Sequence, residues 1–100
     1  MRARIAGTGH YLPGPPISNE ELIERHGLRI KPYFIRNSVG VETRHFAEPG
    51  QATSDLATEA ALRALEANGV PRGEIRRIVL ATVSGDYTTP ATACIVQRNL

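Results

Sequence analysis

The sequence predicts an α/β fold in which strands and helices follow one another in the order β-α-β-α-β-α. Two segments carry the prediction. Residues 54–68 place alanine and leucine at i, i+3 and i+4, which is the spacing of an amphipathic helix. Residues 78–83 form a continuous apolar run, as expected for a parallel strand covered on both faces. Together they indicate a layered sheet and helices.

The chain opens with a predicted strand at residues 2–6, which leads into Gly7-Thr8-Gly9. Two glycines after a strand also occur in dinucleotide-binding loops, where a third glycine follows three residues later. Leu12 holds that position here, and Pro13 follows it. We therefore interpret the loop as a structural turn.

A helix is predicted over residues 19–26. Ser18 as N-cap and Glu21 at N3 form a capping box, and Ile17 and Leu22 occupy the positions of a hydrophobic staple. Gly27 is a plausible helix stop. Residues 28–40 are expected to form a loop with one helical turn, and residues 41–46 a strand.

The helix at residues 54–68 is expected to be capped by Ser54 or Thr53, and its small residues allow a neighbour to approach closely. A last helix is predicted to start with Thr89 as its cap and Pro90 at N1. Between them, residues 84–86 form the loop at the carboxyl end of the apolar strand. That loop is equally compatible with a ligand site and with a plain turn.

Composition limits the classes of function. The chain has 100 residues, a net charge of +2 and only one lysine, Lys31, and its arginines are spread along the chain. Nucleic-acid binding is disfavoured because a clustered basic stripe is missing. No run is long enough to cross a bilayer, and the start lacks the apolar core of a signal peptide. A single cysteine excludes an internal disulfide and favours a cytoplasmic protein.

The three histidines, His10, His26 and His45, have no partners at the spacing that metal ligands need. We predict no metal site and no cofactor. With Pro90 at N1, Cys94 falls in the second turn of its helix among apolar neighbours. A thiol is activated chiefly in the first turn, so Cys94 is predicted to be a packed side chain.

Four stretches in order resemble the N-terminal part of β-ketoacyl-acyl carrier protein synthase III, a member of the thiolase superfamily. They are Ile5 to Pro13, Asn19 to Leu22, Val39 to Ala47, and Ala81 to Ser84 followed by Pro90 to Cys94. The resemblance covers essentially all of residues 1–100. It implies one thiolase-like domain that is truncated before the segment carrying the nucleophile.

The resemblance implies an acyltransferase that acts in fatty-acid or polyketide-type biosynthesis. In the family a cysteine takes an acyl group from coenzyme A or a carrier protein, and the acyl-enzyme condenses with a malonyl thioester after decarboxylation. A histidine and an asparagine stabilise the oxyanion. All three residues lie beyond residue 100, so the fragment is expected to be inactive. Cys94 matches a structural cysteine. A homodimer and an acyl carrier protein partner are also implied.

Four substrate-side positions follow from the same resemblance. Phe34 matches a tryptophan that stacks on the adenine of coenzyme A, and Ser38 matches an arginine that pairs with its phosphate. Arg36 is a candidate substitute for that arginine. Thr89 matches an aromatic residue that closes the acyl pocket across the dimer. Threonine leaves more room, which predicts a longer or branched acyl group.

The alternative is a small stand-alone α/β binding module without catalysis. Such a domain should cover its sheet edges and cap its last helix. A fragment should instead expose apolar surface and associate with itself. The last helix reaches Arg98-Asn99-Leu100 without a glycine stop, which favours the fragment.

Overall fold

The computed structural model describes residues 2–100. Its chain forms two compact units, one made of residues 2–12 and 49–100 and the other of residues 13–48. The elements in order are β1 (Ile17–Ser18), α1 (Asn19–His26), α2 (Pro32–Phe34), a π-helical segment (Ile35–Val39), β2 (Thr43–Arg44), α3 (Thr53–Ala67), a 3-10 turn (Arg72–Glu74) and α4 (Thr92–Asn99).

In the unit of residues 13–48, β1 and β2 pair as antiparallel strands, with Ile17 opposite Arg44 and Ser18 opposite Thr43. The predicted strand at residues 41–46 is therefore present in shortened form, and its partner β1 was not predicted. Ile17 is buried, whereas other apolar residues of the unit, such as Leu28, Tyr33 and Val39, are exposed.

Helix α1 begins and ends where its sequence predicts. Ser18 is the N-cap, and its side-chain oxygen accepts a hydrogen bond from the main-chain N–H of Glu21 at 3.1 Å. Gly27 ends the helix in the left-handed conformation, with φ of 59°. A residue with a side chain pays a steric cost in that conformation, which explains the glycine.

Helix α3 starts one residue earlier than predicted. Its N-cap is Ala52, which has no side-chain acceptor, so the prediction of Ser54 or Thr53 as the cap is wrong. Only half of a capping box is present: the carboxylate of Asp55 accepts a hydrogen bond from the main-chain N–H of Ala52 at 2.8 Å. The side chains of Thr53 and Ser54 are free to bind elsewhere in the fold.

The small residues of α3 do allow the close approach that was predicted. A Cβ atom added to Gly9 would lie 2.4 Å from the main-chain nitrogen of Ala64 and 2.7 Å from the main-chain oxygen of Ala60. One added to Gly7 would overlap the side chain of Asn68. Gly9 is thus required for packing against the backbone of α3, which supports a structural turn.

Helix α4 packs against α3, and its Val96 is 2% exposed. The side-chain amide of Asn99 donates a hydrogen bond to the hydroxyl of Thr58 at 3.4 Å. The helix begins at Thr92, with Ala91 as N-cap, and not at Pro90 after a Thr89 cap. The predicted start is wrong: residues 86–91 form a loop, and the Thr92 hydroxyl at its end accepts a hydrogen bond from the main-chain N–H of Asp86.

Two of the predicted strands, residues 2–6 and 78–83, form no strand ladder within residues 2–100. Main-chain N–H and C=O groups of a strand need a neighbouring strand as partner, and none is supplied by the part of the chain that the structure describes. Ile5, Val79 and Val83 are accordingly exposed. The α/β class holds, but its sheet here consists of β1 and β2 only.

Candidate functional site

A loop of residues 84–91 is held tightly against the first turn of α3. The hydroxyl of Thr53 donates a hydrogen bond to the main-chain oxygen of Ser84 at 2.8 Å. The main-chain N–H of Ser54 donates to the carboxylate of Asp86 at 2.8 Å, and the Ser54 hydroxyl donates to its other oxygen. Asp86 therefore supplies the helix cap that Ala52 lacks.

The same loop is closed on itself at the start of α4. The main-chain N–H of Asp86 donates a hydrogen bond to the hydroxyl of Thr92 at 3.0 Å. Gly85 packs on that hydroxyl so closely that an added Cβ atom would lie 2.5 Å from it. Thr89 is midway between the two joined residues and is exposed, as is Tyr87.

The negative charge of Asp86 lies among groups that are withdrawn from water. Ser54 is 3% exposed and Thr92 is 5% exposed. No arginine or lysine of residues 2–100 forms an ion pair with Asp86. The positive end of the α3 dipole and the two donors of Ser54 compensate the carboxylate instead. The sequence left open whether residues 84–86 form a ligand site or a plain turn. These contacts favour a structural role, in which Asp86 anchors the loop.

Phe34, Arg36 and Ser38 lie on one helical stretch, in which α2 continues directly into the π-helical segment. Phe34 is half-exposed and Ser38 is exposed. The guanidinium of Arg36 is 3.5 Å from the carboxylate of Glu42, and both side chains are largely exposed. A π-helical turn is a rare conformation that is frequent at functional sites. These three residues share one surface segment of the unit 13–48.

The structure therefore brings three of the four substrate-side residues together on one segment, whereas Thr89 belongs to the other unit. The sequence had predicted only one helical turn in residues 28–40 and gave no sign of its π-helical form. It also gave no sign that Ser54 and Thr92 would bind Asp86. Those partners are separated by 32 and 6 residues, and no local pattern encodes them.

Cys94 is exposed, so the prediction that it is a packed side chain is wrong for this chain. Because α4 starts at Thr92, Cys94 is the third residue of the helix and lies in its first turn. It borders a cavity of about 340 Å³ that is also lined by Arg72, Arg76 and Arg77. Whether Cys94 acts only as a structural residue stays a prediction.

Within the described residues, the side chain of His45 forms hydrogen bonds to the main chain. Its Nδ1 atom lies 3.1 Å from the main-chain oxygens of both Pro13 and Gly14. Carbonyl oxygens only accept hydrogen bonds, so Nδ1 carries the proton. Within residues 2–100, no group of three potential ligands could hold a metal ion. No helix among these residues is long and apolar enough to cross a membrane.

Comparison with known proteins extends over nearly the whole chain. It is 48% identical over 97 residues to the β-ketoacyl-[acyl-carrier-protein] synthase III of Rhodopirellula baltica, a match that covers 97% of this chain and 27% of that protein. The resemblance to synthase III is confirmed. No protein-family model matches the chain. The chain thus spans about a quarter of the length of this synthase III relative.

Solved structures agree with the synthase III resemblance. The priming β-ketosynthase of the R1128 polyketide pathway matches with a TM-score of 0.81 and 28% identity, over 95% of this chain and 28% of that one. The 3-oxoacyl-(acyl carrier protein) synthase III of Xanthomonas oryzae matches with a TM-score of 0.78 and 33% identity, over 96% of this chain and 30% of that one. OleA of Xanthomonas campestris matches with a TM-score of 0.78 and 32% identity, over 96% of this chain and 31% of that one. The chain therefore has the fold of part of a thiolase-like ketosynthase.

Proposed function

We propose that residues 1–100 are the N-terminal part of a thiolase-like acyltransferase of the 3-oxoacyl-acyl carrier protein synthase III type. The single observation that carries the proposal is the 48% identity to the Rhodopirellula baltica synthase III, which continues through 97 residues. Identity at this level over 97% of the chain supports a common chemistry and not only a common fold.

In the proposed reaction, a cysteine thiolate attacks the carbonyl of an acyl thioester and releases the thiol of coenzyme A or of a carrier protein. The acyl-enzyme is then attacked by the carbanion that forms when a malonyl thioester loses carbon dioxide. The product is a 3-oxoacyl thioester, and the cysteine is freed. The nucleophile and its histidine and asparagine partners belong to the rest of the full-length protein, so residues 1–100 alone are inactive.

For the donor, the π-helical segment and α2 are proposed to contact coenzyme A. Phe34 is exposed enough to stack on a base, and Arg36 is the basic residue nearest in sequence to the neutral Ser38. The ion pair of Arg36 with Glu42 is exposed and therefore weak, which leaves the guanidinium able to bind a phosphate. Thr89 is proposed to line the acyl pocket and to leave room for a long or branched chain.

The full-length protein is proposed to be a cytoplasmic homodimer that exchanges substrates with an acyl carrier protein. The direct test is to incubate it with acetyl-coenzyme A and with longer acyl donors, digest it, and locate the acylated cysteine by mass spectrometry. We expect the label on a cysteine outside residues 1–100, with Cys94 unlabelled. Label on Cys94, or on no cysteine with any donor, would contradict the proposal.

A chimera tests whether the 100 residues themselves serve this chemistry. The 97 matching residues of the Rhodopirellula baltica synthase III would be replaced by those of this chain, and acyl transfer would be measured. We expect a folded chimera that retains activity with an altered donor preference. A chimera that folds but transfers no acyl group would favour the alternative, a stand-alone binding module.

A further inference from the structure

We propose that Asp86 positions the loop of residues 84–91 and thereby sets how sharply the enzyme selects the length of its acyl donor. The inference rests on the proposed function, since Thr89 selects an acyl chain only if the protein is an acyltransferase. The placement of Asp86, in contrast, follows from its contacts alone. Asp86 is a positioning residue and is not proposed to touch the substrate.

The first step is the anchoring of the loop at its start. Both oxygens of the Asp86 carboxylate are engaged by Ser54, and the main-chain oxygen of Ser84 is engaged by Thr53. Thr53 and Ser54 are the first two residues of α3, a helix of 15 residues. The loop is thus fixed to a long rigid element, at two points that are separated by a single residue, Gly85.

The second step is the closure of the loop. The hydrogen bond from the Asp86 N–H to the Thr92 hydroxyl joins the two ends of a ring whose apex is Thr89. Thr92 is itself 5% exposed and starts α4, which packs on α3. Both ends of the ring are therefore held, while Tyr87 and Thr89 remain exposed.

The third step concerns how a loop that is held at both ends affects the selectivity for acyl-chain length. Thr89 discriminates between acyl-chain lengths only if its position is fixed, because a mobile side chain would move aside for a longer acyl chain. One methylene group in a well-defined pocket changes selectivity by roughly 10-fold to 200-fold. Removing the Asp86 carboxylate should therefore reduce the selectivity for acyl-chain length, although no group that takes part in the reaction is removed.

The test uses the full-length protein with Asp86→Ala, and Asp55→Ala as the matched control. Asp55 also accepts a hydrogen bond at the N-terminus of α3, from Ala52, whereas the hydrogen bonds from α3 to the loop are made by Thr53 and Ser54. Both variants lose a carboxylate at the same helix end. Hydrogen exchange of residues 84–91 reports the loop, and kcat/KM across a series of acyl donors reports selectivity.

We expect Asp86→Ala to speed exchange in the loop and to lower the ratio of kcat/KM for the preferred and a neighbouring chain length by about tenfold. Asp55→Ala should change neither. Thr92→Val, which removes the acceptor of the Asp86 N–H at almost constant volume, should act like Asp86→Ala, whereas Thr92→Ser should not. Asp86→Asn, which keeps one acceptor for the Ser54 N–H, should restore part of the selectivity.

Unchanged exchange in the loop of Asp86→Ala would overturn the positioning role, whether or not the protein is active. The link to the acyl chain would be overturned if Asp86→Ala showed faster exchange in the loop but unchanged selectivity. It would also be overturned if Asp86→Ala and Asp55→Ala had equal effects on exchange and on selectivity. If the wild-type protein transfers no acyl group from any donor, the proposed function fails and selectivity fails with it. The exchange data then still decide whether Asp86 holds the loop.

Discussion

The side chain of Asn19 joins the guanidinium of Arg44 to the main chain of Val41. Its oxygen accepts a hydrogen bond from Nη2 of Arg44, and its nitrogen donates to the Val41 oxygen at 2.9 Å. Arg44 also donates to the main-chain oxygen of Ile17 at 3.2 Å. Since Asn19 is 1% exposed, these bonds form a buried link between α1 and the two strands.

Replacing Asn19 by leucine should destabilise this unit strongly. The substitution nearly conserves volume, but it removes the acceptor of the Arg44 Nη2 and the donor to the Val41 oxygen, while the bond from Arg44 to Ile17 remains. A buried polar group that loses its hydrogen bond costs about 1–3 kcal/mol. We expect a loss of this size in the opening free energy of α1, measured by hydrogen exchange in the full-length protein. Glu24→Gln on the exposed side of α1 is the control. A loss in Asn19→Leu no larger than in this control would contradict the prediction.

Gly9→Ala should be among the most damaging small substitutions in the chain. The added methyl group would meet the main-chain nitrogen of Ala64 at 2.4 Å, and a helix backbone cannot move aside as a flexible side chain can. Overpacking typically costs about 1–3 kcal/mol, and the upper end is expected here.

Gly73→Ala provides the matched control, because a Cβ atom there would meet no other atom within 4 Å. The thermal midpoint of the full-length protein should fall by several degrees in Gly9→Ala and stay close to the wild-type value in Gly73→Ala. Equal midpoints for the two variants would show that the N-terminal segment does not pack on α3 as described.

Local signals explain what the sequence could predict. Helix α1 was predicted with both its ends because Ser18, Glu21 and Gly27 act within a few residues of one another. A close approach of a neighbour to α3 was predicted because a stripe of alanines has room for a backbone on its surface. The sequence did not indicate that Gly9 would be that neighbour.

Tertiary contacts explain what it could not. The start of α3 was misplaced because Asp86, which is far from Ser54 in sequence, supplies the cap that local rules assign to Thr53 or Ser54. At the start of α4, the Thr92 hydroxyl accepts a hydrogen bond from the N–H of Asp86, a contact that the predicted Thr89 cap did not include. Residues 78–83 have the composition of a buried strand, but pairing depends on a neighbour that residues 2–100 do not provide. Cys94 was predicted to be packed from its apolar neighbours, but in the structure it is exposed, which the neighbouring residue types do not reveal.

Ser18→Ala should loosen the first turn of α1. Its hydroxyl accepts a hydrogen bond from the Glu21 N–H at this helix start, and loss of such a cap costs about 1 kcal/mol. Ser18→Asp keeps an acceptor and should retain most of the stability. Hydrogen exchange of the Glu21 amide is the most direct measurement. Protection that is equal in Ser18→Ala and in the wild type would mean that the cap contributes nothing to α1.

The isolated 100-residue chain exposes apolar side chains that a stable monomer would bury. Ile5 and Val79 are each 87% exposed, and Val83 has no cover at all. Both predicted strands that contain these residues also lack ladder partners within residues 2–100. Unpaired strand backbone next to exposed apolar surface promotes association between copies.

We therefore expect the isolated chain to sediment as dimers or larger species and to bind a hydrophobic dye. Val83→Lys should reduce the association, because it places a charge on the unpaired segment. Glu66→Gln changes the net charge by the same amount at an exposed position of α3 and is the control. If Val83→Lys and Glu66→Gln reduced association equally, net charge alone would explain the effect. A compact monomer with one cooperative unfolding transition would instead support the stand-alone module. Such a monomer would have to bury the apolar side chains that are exposed in this structure.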